Sequence, residues 1–429
     1  MMTAVETNTS TSTLPNPLSA GPCCRFCAEP LRHTFVDLGT SPLCQKHVTP
    51  AQFDHGEPFY PLHVYVCEKC YLVQLPAYVS REAIFDGEYA YFSSYSETML
   101  AHARAYVEQM TARFGLGGRS RVVELASNDG YLLQYFLEKK IPCLGIEPTA
   151  NTAAAAQEKG VPTIVRFFGR QTAREVLDSN GPADLILGNN VLAHVPDIND
   201  FVGGMKILLS PAGVVTMEFP QLLHLIDKNY WDTVYHEHYS YLSFTTVEKI
   251  FAAHGMELFD VDEIDIHGGS IRVYAHHTDD GTHTVSERVH AMKARERAAG
   301  QGDLKSYAAY GKQVEEHKRQ ILSWLIEQKR AGKKVVAYGA PGKGNTLLNY
   351  CGIRSDFVEF TVDRSPHKQG NFLPGTRIPI RSPDEIMDAK PDFVLILVWN
   401  LKTEVMQQMA AVREWGGKFV VFMPQLQEC

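Results

Sequence analysis

Short apolar runs alternate with amphipathic stretches through the middle of the chain. The runs at residues 121–125, 143–146, 183–187 and 213–217 are rich in Val, Ile and Leu, and polar stretches with helical spacing separate them. This alternation predicts a mainly parallel sheet with helices on both faces. The central part of the chain is therefore expected to be a doubly wound α/β unit.

The same alternation restarts towards the end of the chain. Runs at residues 334–339, 357–363, 393–397 and 419–422 predict a second doubly wound unit. Between the two units, residues 286–330 are rich in Ala, Glu, Lys and Arg and contain no strand signal, which favours a helical connector. The expected divisions are 81–285, 286–330 and 331–429.

The first part of the chain has a different pattern. Residues 1–20 are rich in Ser, Thr and Pro and lack the features of a secretory signal, so we expect a disordered tail. Residues 21–80 carry two Cys-x-x-Cys pairs, Cys24 with Cys27 and Cys67 with Cys70. Four thiolates are a preferred ligand set for tetrahedral zinc, and a closed site of this kind stabilises a fold without contacting substrate. Cys23 leaves open which neighbour is the ligand, although the spacing favours Cys24.

Composition narrows the possible partners. The net charge is −8, and no long basic run is present to attract a nucleic-acid backbone or an anionic membrane. No apolar run approaches the roughly 20 residues that span a bilayer. The nine cysteines, an odd number, suit metal binding in a reducing compartment, which predicts the cytoplasm. A small molecule is the expected partner, and the sequence does not fix the oligomeric state, although a monomer is compatible with it.

The turn after the first central strand has the features of a cofactor site. In this architecture ligands bind where strand ends meet helix starts, and an acid at the end of the next strand can accept hydrogen bonds from ribose hydroxyls. A pyrophosphate-binding turn needs several glycines, whereas this turn contains one. S-adenosylmethionine, which has no phosphate, fits better. The candidate cofactor residues are Glu124, Ser127, Asn128, Asp129, Gly130, Glu147, Phe167, Phe168 and Asn189. Core packing is an equally good interpretation of the two phenylalanines.

Two further segments are rich in chemistry. Residues 235–238 read Tyr-His-Glu-His, which indicates either a catalytic cluster or a buried polar network. The Gly-rich turn at residues 339–346 follows a strand and opens a helix, so its backbone N–H groups can cradle an anion beside Lys343. The order of its residues differs from that of a Walker loop.

Taken together, these motifs resemble the sugar C-methyltransferases of antibiotic pathways. The resemblance runs from the first cysteine pair to the end of the chain. One departure is Ala126, where many methyltransferases have Gly. The motifs are Glu124-Leu-Ala-Ser-Asn-Asp-Gly130, Asn189-Asn-Val-Leu-Ala-His194, Tyr235-His-Glu-His238, His267-Gly-Gly-Ser270 and Tyr338-Gly-Ala-Pro-Gly-Lys-Gly-Asn345.

The resemblance implies a fold and a reaction. The fold is α/β, with an N-terminal zinc-binding module, a central Rossmann-like class I methyltransferase domain and a C-terminal doubly wound Rossmann-like domain that holds a nucleotide-sugar. The reaction is methyl transfer from S-adenosylmethionine to the third carbon, beside the ketone, of a dTDP-linked 4-keto-deoxysugar. Such a carbon must lose a proton first, so the enzyme needs a base and donors for the enolate oxygen.

The resemblance also implies residue roles. His238 is the expected base, with Glu237 orienting it. Tyr235 and Tyr91 are expected to donate to the enolate or position the substrate, and His194 is a second candidate base. The expected substrate-binding residues are Tyr89, Ser93, His267, Gly268, Lys343, Asn345, Asp363, Lys368, Trp399 and Asn400.

Three other functions fit parts of the sequence. An NAD-dependent sugar oxidoreductase would use the glycine-rich turn at 339–346, but it leaves Glu124 and Glu147 unexplained. An O- or N-methyltransferase would not need the Tyr-x-Glu-His cluster, because oxygen and nitrogen already carry lone pairs. A non-catalytic zinc-bearing binding module does not explain the density of polar residues.

Overall fold

Three β-sheets organise the chain. The computed structural model describes residues 21–85, 89, 91–266 and 268–429, so the predicted tail at 1–20 and His267 lie outside the described residues. One sheet belongs to the cysteine-rich segment, the second to the centre of the chain and the third to its end. The expected α/β architecture with an N-terminal zinc-binding module is confirmed.

The first sheet is antiparallel and takes its last strand from far along the sequence. Its order is β1 (His33–Ser41), β2 (Tyr60–Val66), β3 (Val73–Gln74) and β9 (Ser240–Tyr241). Strand β9 directly follows the Tyr-His-Glu-His segment and pairs with β3 through Val73 opposite Tyr241. The zinc-binding module therefore anchors the segment that the sequence marks as catalytic.

The central sheet has seven strands. Five are parallel, in the order β8 (Leu209–Pro220), β7 (Ala183–Asn189), β4 (Val122–Leu125), β5 (Cys143–Glu147) and β6 (Thr163–Val165). The edge beyond β8 is antiparallel and consists of β11 (Ser270–His277) followed by β10 (Met256–Ile264). The parallel part was expected from the apolar runs, whereas the antiparallel edge was not.

The helices of this unit connect and flank the strands. The longest, α2, begins after Ser96, whose hydroxyl caps the Met99 N–H, and ends at Gly115 in the left-handed conformation. The helices are α1 (Arg81–Ile84), α2 (Glu97–Phe114), α3 (Leu133–Glu138), α4 (Ala150–Glu158), α5 (Arg170–Asn180), α6 (Ile198–Leu208), α7 (Leu222–Asp227) and α8 (Phe244–Ala253).

Two helices, α9 (Glu287–Ala298) and α10 (Leu304–Arg330), link the central sheet to the last one. Helix α9 is tied to the central unit because the buried Glu296 carboxylate accepts hydrogen bonds from the Phe244 and Thr245 N–H groups. Helix α10 packs on the first sheet, where Phe35 stacks on Tyr310 with ring centroids 4.7 Å apart. The connector is thus packed against the central unit and against the first sheet.

The last sheet is parallel apart from its final strand. Its order is β14 (Ile380–Arg381), β13 (Thr361–Val362), β12 (Val335–Tyr338), β15 (Phe393–Ile396), β16 (Lys418–Val421) and β17 (Gln427–Glu428). Its helices are α11 (Gly342–Cys351), α12 (Glu385–Ala389) and α13 (Lys402–Gln408). The strand predicted at 357–363 is shorter than expected, because the N–H groups of Phe357 and Val358 turn back to the Arg354 carbonyl.

The hydrophobic cores cross the boundaries between these units. Phe35 and Val64 of the first sheet share a core with Leu325 of α10 and Val336 of the last sheet. The cysteine end of the same module packs with Ile186 in the core of the central sheet. The zinc-binding module therefore contributes apolar surface to two larger cores.

Over the described ranges of the chain, no helix combines the length and the apolar character needed to cross a bilayer.

Candidate active site

Four cysteine thiols converge at one end of the first sheet. The ligand atoms of Cys24, Cys27, Cys67 and Cys70 all lie within 4.8 Å of one another. Both pairs sit in similar tight turns, in which the N–H of residue 28 bonds to the Cys24 carbonyl and the N–H of residue 71 to the Cys67 carbonyl. Cys23 is exposed and its thiol contacts the Gly21 carbonyl, so the structure places Cys24 in the cluster.

The spacing of the thiols fits tetrahedral zinc. Sulfur atoms bound to one zinc at about 2.3 Å lie about 3.8 Å apart. The Sγ atoms of Cys24 and Cys70 are 3.5 Å apart, as are those of Cys27 and Cys67. The Cys70 thiol is the main cause that lowers the pKa of Cys24 to about 4, against the effect of burial. A closed set of four sulfur ligands is a structural site.

One cavity of about 560 Å³ opens between the central and the last sheet. Its wall includes eighteen of the residues predicted for the site: Tyr89, Tyr91, Ser93, Asn128, Glu147, Phe167, Phe168, Asn189, His194, Tyr235, Glu237, His238, Gly268, Lys343, Asp363, Lys368, Trp399 and Asn400. Of the other predicted residues that are described, Glu124, Ser127, Asp129, Gly130 and Asn345 lie outside this wall. The fold thus gathers residues from both α/β units around one space.

The turn after β4 has an unusual backbone. Ala126, Asn128 and Gly130 all have positive φ, at 57°, 49° and 73°. A side chain on Gly130 would lie 3.0 Å from Val161 and 3.2 Å from Ala156, so only glycine lets the turn pack on the neighbouring helix. Ala126 adopts the left-handed conformation in spite of its methyl group, at a cost of about 1 to 2 kcal/mol. Such strain is retained where it shapes a site.

Two buried acids support this turn. The Glu147 carboxylate accepts hydrogen bonds from the N–H groups of Asn128 (2.8 Å) and Thr149 (2.9 Å). Burial raises the pKa of Glu147, although these hydrogen bonds oppose the shift. Glu124 is buried behind the turn, and one of its carboxyl oxygens has no hydrogen-bond partner among the described residues. Burial, followed by the charge of Glu147, holds the pKa of Glu124 well above its usual range.

Asn128 and Asp129 hold a neighbouring segment over the turn. The Asn128 amide accepts from the Ser93 N–H at 2.9 Å and donates to the Tyr91 carbonyl at 3.1 Å. The Asp129 carboxylate accepts from the Ser94 N–H at 3.3 Å and pairs with Lys159 at 3.1 Å. These contacts place Tyr91 and Ser93 in the wall of the cavity beside the turn.

The two phenylalanines differ in their surroundings. Phe168 is buried and packs edge-on against Phe201 with ring centroids 5.4 Å apart. Phe167 is more accessible, and the Arg81 guanidinium lies 4.3 Å from its ring centroid. At the end of β7, the Asn189 amide has no hydrogen-bond partner among the described residues. Phe167 and Asn189 are therefore available to a ligand in the cavity, whereas Phe168 mainly packs the core.

A carbonyl group fixes the orientation of His238. The Nδ1 atom of His238 lies 2.8 Å from the Thr233 carbonyl oxygen. Because a carbonyl only accepts, Nδ1 carries the proton and Nε2 keeps its lone pair in the neutral ring. The His194 ring lies 4.7 Å from that of His238, and burial lowers the pKa of His194 to about 4. His238 can therefore accept a proton at Nε2, whereas burial makes His194 the weaker base.

The Glu237 carboxyl contacts Tyr89 and Cys44, and not His238 as expected. One oxygen accepts from the Tyr89 hydroxyl at 3.0 Å, and the other lies 3.5 Å from the Cys44 thiol. The expectation that Glu237 orients His238 therefore gives way to orientation by Thr233. Burial raises the pKa of Glu237 to about 7, while the hydrogen bonds of Tyr89 and Cys44 lower it. Burial also keeps the pKa of Tyr235 well above its usual range, so its hydroxyl stays protonated and can donate a hydrogen bond.

An aromatic and cationic corner faces the cavity from the C-terminal unit. Trp399 stacks on Tyr230 with ring centroids 4.2 Å apart, and its indole N–H donates to buried Asp232 at 2.7 Å. The Lys343 ammonium lies 4.3 Å from the Trp399 ring and donates to Asn400 at 2.8 Å. Burial lowers the pKa of Lys343 to about 8 and raises that of Asp232 to about 6.

Three other predicted residues of this unit have distinct positions. Asp363 accepts from the Ala340 N–H at 2.8 Å and lies 3.6 Å from Lys368, so it supports the glycine-rich turn. Asn345 is buried in α11, and its side-chain amide has no hydrogen-bond partner among the described residues. Gly268 has a φ of 92°, and a side chain there would lie 2.7 Å from Trp399. His267 lies outside the described residues.

The cavity also includes residues that the sequence did not single out. Gln45 comes from the zinc-binding module, Arg81 from α1, and Thr233 and Tyr241 flank the Tyr-His-Glu-His segment. No local motif marks these positions. The pairing of β9 with β3 is what brings the zinc-binding module to the cavity.

Comparisons with known proteins match the whole plan of the chain. Three family models match: "Putative zinc binding domain" over residues 24–85, "Methyltransferase domain" over 99–261 and "C-methyltransferase C-terminal domain" over 265–424. The C-methyltransferase NovU of Streptomyces niveus is 35% identical over 402 residues, which cover 94% of this chain and 95% of NovU.

Two other similarities cover less. A ubiquinone biosynthesis O-methyltransferase of Rhodopseudomonas palustris (strain BisA53) is 26% identical over 97 residues, 23% of this chain and 38% of that protein. The crystal structure of magnesium protoporphyrin IX methyltransferase from Synechocystis PCC 6803 with bound S-adenosylmethionine aligns with a TM-score of 0.32 and 13% identity, over 41% of this chain and 78% of that one. Because the similarity to NovU extends over nearly the full length of both proteins, the chain is an S-adenosylmethionine-dependent C-methyltransferase of the family that includes NovU.

Proposed function

We propose that this enzyme methylates the third carbon of a nucleotide-linked 4-keto-deoxysugar, next to the ketone, and that the nucleotide is dTDP. The observation that carries the proposal is the cavity of about 560 Å³. Its wall combines the cofactor turn, the His194 and His238 rings and the Lys343 corner. A cation beside an aromatic ring suits a nucleoside diphosphate, and neutral imidazoles suit removal of a proton from carbon.

In this proposal the chain's own residues deprotonate and align the sugar. His238 Nε2 takes the proton from the carbon beside the ketone, since its Nδ1 proton is committed to Thr233. The hydroxyls of Tyr235 and Tyr91, which share the cavity wall, donate to the enolate oxygen. S-adenosylmethionine supplies the methyl group as an activated sulfonium. The remaining work is orientation, because the reacting atoms must be held in line.

The proposal is tested with a panel of nucleotide-linked sugars and isotopically labelled S-adenosylmethionine. We expect methylation of the 4-keto sugar and none of the analogue in which the ketone is reduced, because only the ketone acidifies the neighbouring carbon. Mass spectrometry measures methyl incorporation, and NMR of the product locates the methyl group. A product methylated on oxygen or nitrogen, or equal turnover of the reduced analogue, would contradict the proposal.

Glu147 is proposed to set the affinity for S-adenosylmethionine by accepting hydrogen bonds from the ribose. Glu147→Ala is expected to raise the dissociation constant by about ten- to a hundredfold, since a hydrogen bond to a charged group contributes about 1.5 to 3 kcal/mol. Calorimetric titration measures the change. Exposed Glu158 on α4 is the control, and Glu158→Ala should bind normally. An unchanged constant for Glu147→Ala would exclude Glu147 from the site.

Lys343 is proposed to bind the diphosphate. Lys343→Met is expected to raise KM for the nucleotide-sugar by about tenfold or more, with little change in affinity for S-adenosylmethionine. Because burial lowers the pKa of Lys343 to about 8, the wild-type KM should also rise as the pH increases through 8 and the ammonium loses its charge. This rise should disappear in Lys343→Met. The exposed Lys312→Met is the control, and a wild-type KM in Lys343→Met would refute the role.

We also propose that the enzyme works in the reducing cytoplasm. All nine cysteines are free of disulfides, and four of them form the zinc cluster, which requires reduced thiols. A fusion to a redox-insensitive fluorescent protein, followed by cell fractionation, tests the location.

A further inference from the structure

A cysteine outside the zinc cluster lies against the reaction site. Cys44 follows β1 in the zinc-binding module and is 3% exposed. Its Sγ lies 3.5 Å from the Glu237 carboxyl. On the other side it meets the glycine-rich turn of the C-terminal unit, where a side chain on Gly342 would lie 2.9 Å from Sγ. The thiol is thus enclosed where all three parts of the chain meet.

In the contact between Cys44 and Glu237, the thiol is the hydrogen-bond donor and the carboxylate is the acceptor. Burial, together with the charge of Glu237, holds the pKa of the Cys44 thiol well above its usual range, so the group is a neutral S–H. A neutral thiol beside a carboxylate donates a hydrogen bond to it. The second oxygen of Glu237 accepts from the Tyr89 hydroxyl at 3.0 Å. Both oxygens of the carboxyl are therefore held by donors, one from the zinc-binding module and one from the segment before α2.

We propose that Cys44 is a positioning residue, whose thiol acts with the Tyr89 hydroxyl to hold the Glu237 carboxylate in its ionised form in the wall of the cavity. The zinc-binding module then serves the reaction directly as well as the fold. The inference rests on the proposed function, in which Glu237 belongs to the catalytic cluster. Glu237 lines the cavity together with Tyr89 and His238, so its charge lies where the substrate is proposed to bind.

Other groups face Glu237 and set the size of the expected effect. Lys46 and Lys368 are cations that favour its ionised form, and Tyr235 is a phenol close by. The backbone of Glu237 also bonds to the His194 ring. Cys44 therefore supplies one of several contributions. A net hydrogen bond contributes about 0.5 to 1.5 kcal/mol, so its loss should raise the pKa of Glu237 by roughly 0.4 to 1 unit.

The test is the pH dependence of kcat in the full-length, zinc-loaded enzyme. Cys44→Ala removes the donor and should shift the acidic limb to higher pH by roughly 0.4 to 1 unit, with the deficit shrinking at alkaline pH. Cys44→Ser keeps a donor and should fall between Cys44→Ala and the wild type. Cys351→Ala removes a buried cysteine of α11 and should leave the limb in place. Zinc content and melting temperature, measured on each variant, show whether the fold is intact.

Two results would separate failure of this inference from failure of the proposed function. Glu237→Gln removes one titrating group, so its residual activity should lose the part of the acidic limb that Cys44→Ala shifts and keep the part set by protonation of His238. If Glu237→Gln keeps the wild-type rate and profile, Glu237 has no catalytic role and the proposed cluster fails. If Glu237→Gln is impaired while folded Cys44→Ala keeps the wild-type profile, the Cys44 inference alone is overturned. Should Cys44→Ala fail to fold, Cys44→Val, which also lacks a hydrogen-bond donor and is closer in size to cysteine, replaces it, and an unshifted acidic limb in that variant overturns the inference.

Discussion

His238→Asn is expected to lower kcat by about a hundred- to ten-thousandfold, the usual contribution of a general base. Asparagine keeps an N–H donor for the Thr233 carbonyl, to which His238 Nδ1 bonds at 2.8 Å, but it has no basic nitrogen in place of Nε2. The fold and the affinity for S-adenosylmethionine should therefore be retained. Steady-state kinetics and calorimetry measure both. Exposed His290 on α9 provides the matched control, since His290→Asn should have wild-type kcat.

Proton exchange isolates the deprotonation step. With the keto sugar in heavy water and S-adenosylhomocysteine in place of the methyl donor, we expect the wild type to exchange the hydrogen beside the ketone and His238→Asn to exchange it far more slowly. NMR follows the loss of that proton signal. A loss of only a few-fold in kcat, or exchange by the variant at the wild-type rate, would assign the base to another group. His194 would be tested next, because its ring lies 4.7 Å from that of His238 and is neutral at physiological pH.

Cys67→Ser is expected to lose zinc, stability and activity together. Structural zinc sites contribute an apparent binding free energy of about 10 to 16 kcal/mol in small zinc-folded peptides, which exceeds the net stability of many domains. Here the module also shares apolar cores with both α/β units, so its loss should weaken more than the first sheet. Metal analysis and thermal unfolding measure the two losses. The wild type should contain about one zinc ion per chain.

The matched control lies next to a ligand. Cys23 is exposed and its thiol contacts the Gly21 carbonyl, outside the cluster, so Cys23→Ser should keep zinc and melt like the wild type. A Cys67→Ser protein that is metal-free and yet melts at the wild-type temperature would show that zinc does not support the fold. The pairing of β3 with β9 predicts that the catalytic segment loses its support when the module unfolds.

The sequence alone determined the features that depend on local pattern. Apolar runs separated by helical stretches predict parallel α/β units, because each strand and helix must bury a face at its own period. Two Cys-x-x-Cys pairs predict the zinc site, since the spacing sets a ligand geometry within a few residues. The end of the second central strand likewise predicts the position of Glu147, which lines the cavity. These signals are short and readable from adjacent residues.

The tertiary structure decided the features that join distant segments. Thr233, rather than Glu237, orients His238, and no local pattern distinguishes one carbonyl as the acceptor. Cys44 meets Glu237 from 193 positions away along the chain. Strand β9 completes the sheet of the zinc-binding module, and two antiparallel strands extend the central sheet at one edge. Such contacts depend on how the packed units fit together. A two-residue strand or a single cysteine is too short to show a hydrophobic period, so the sequence does not predict which residue it will contact.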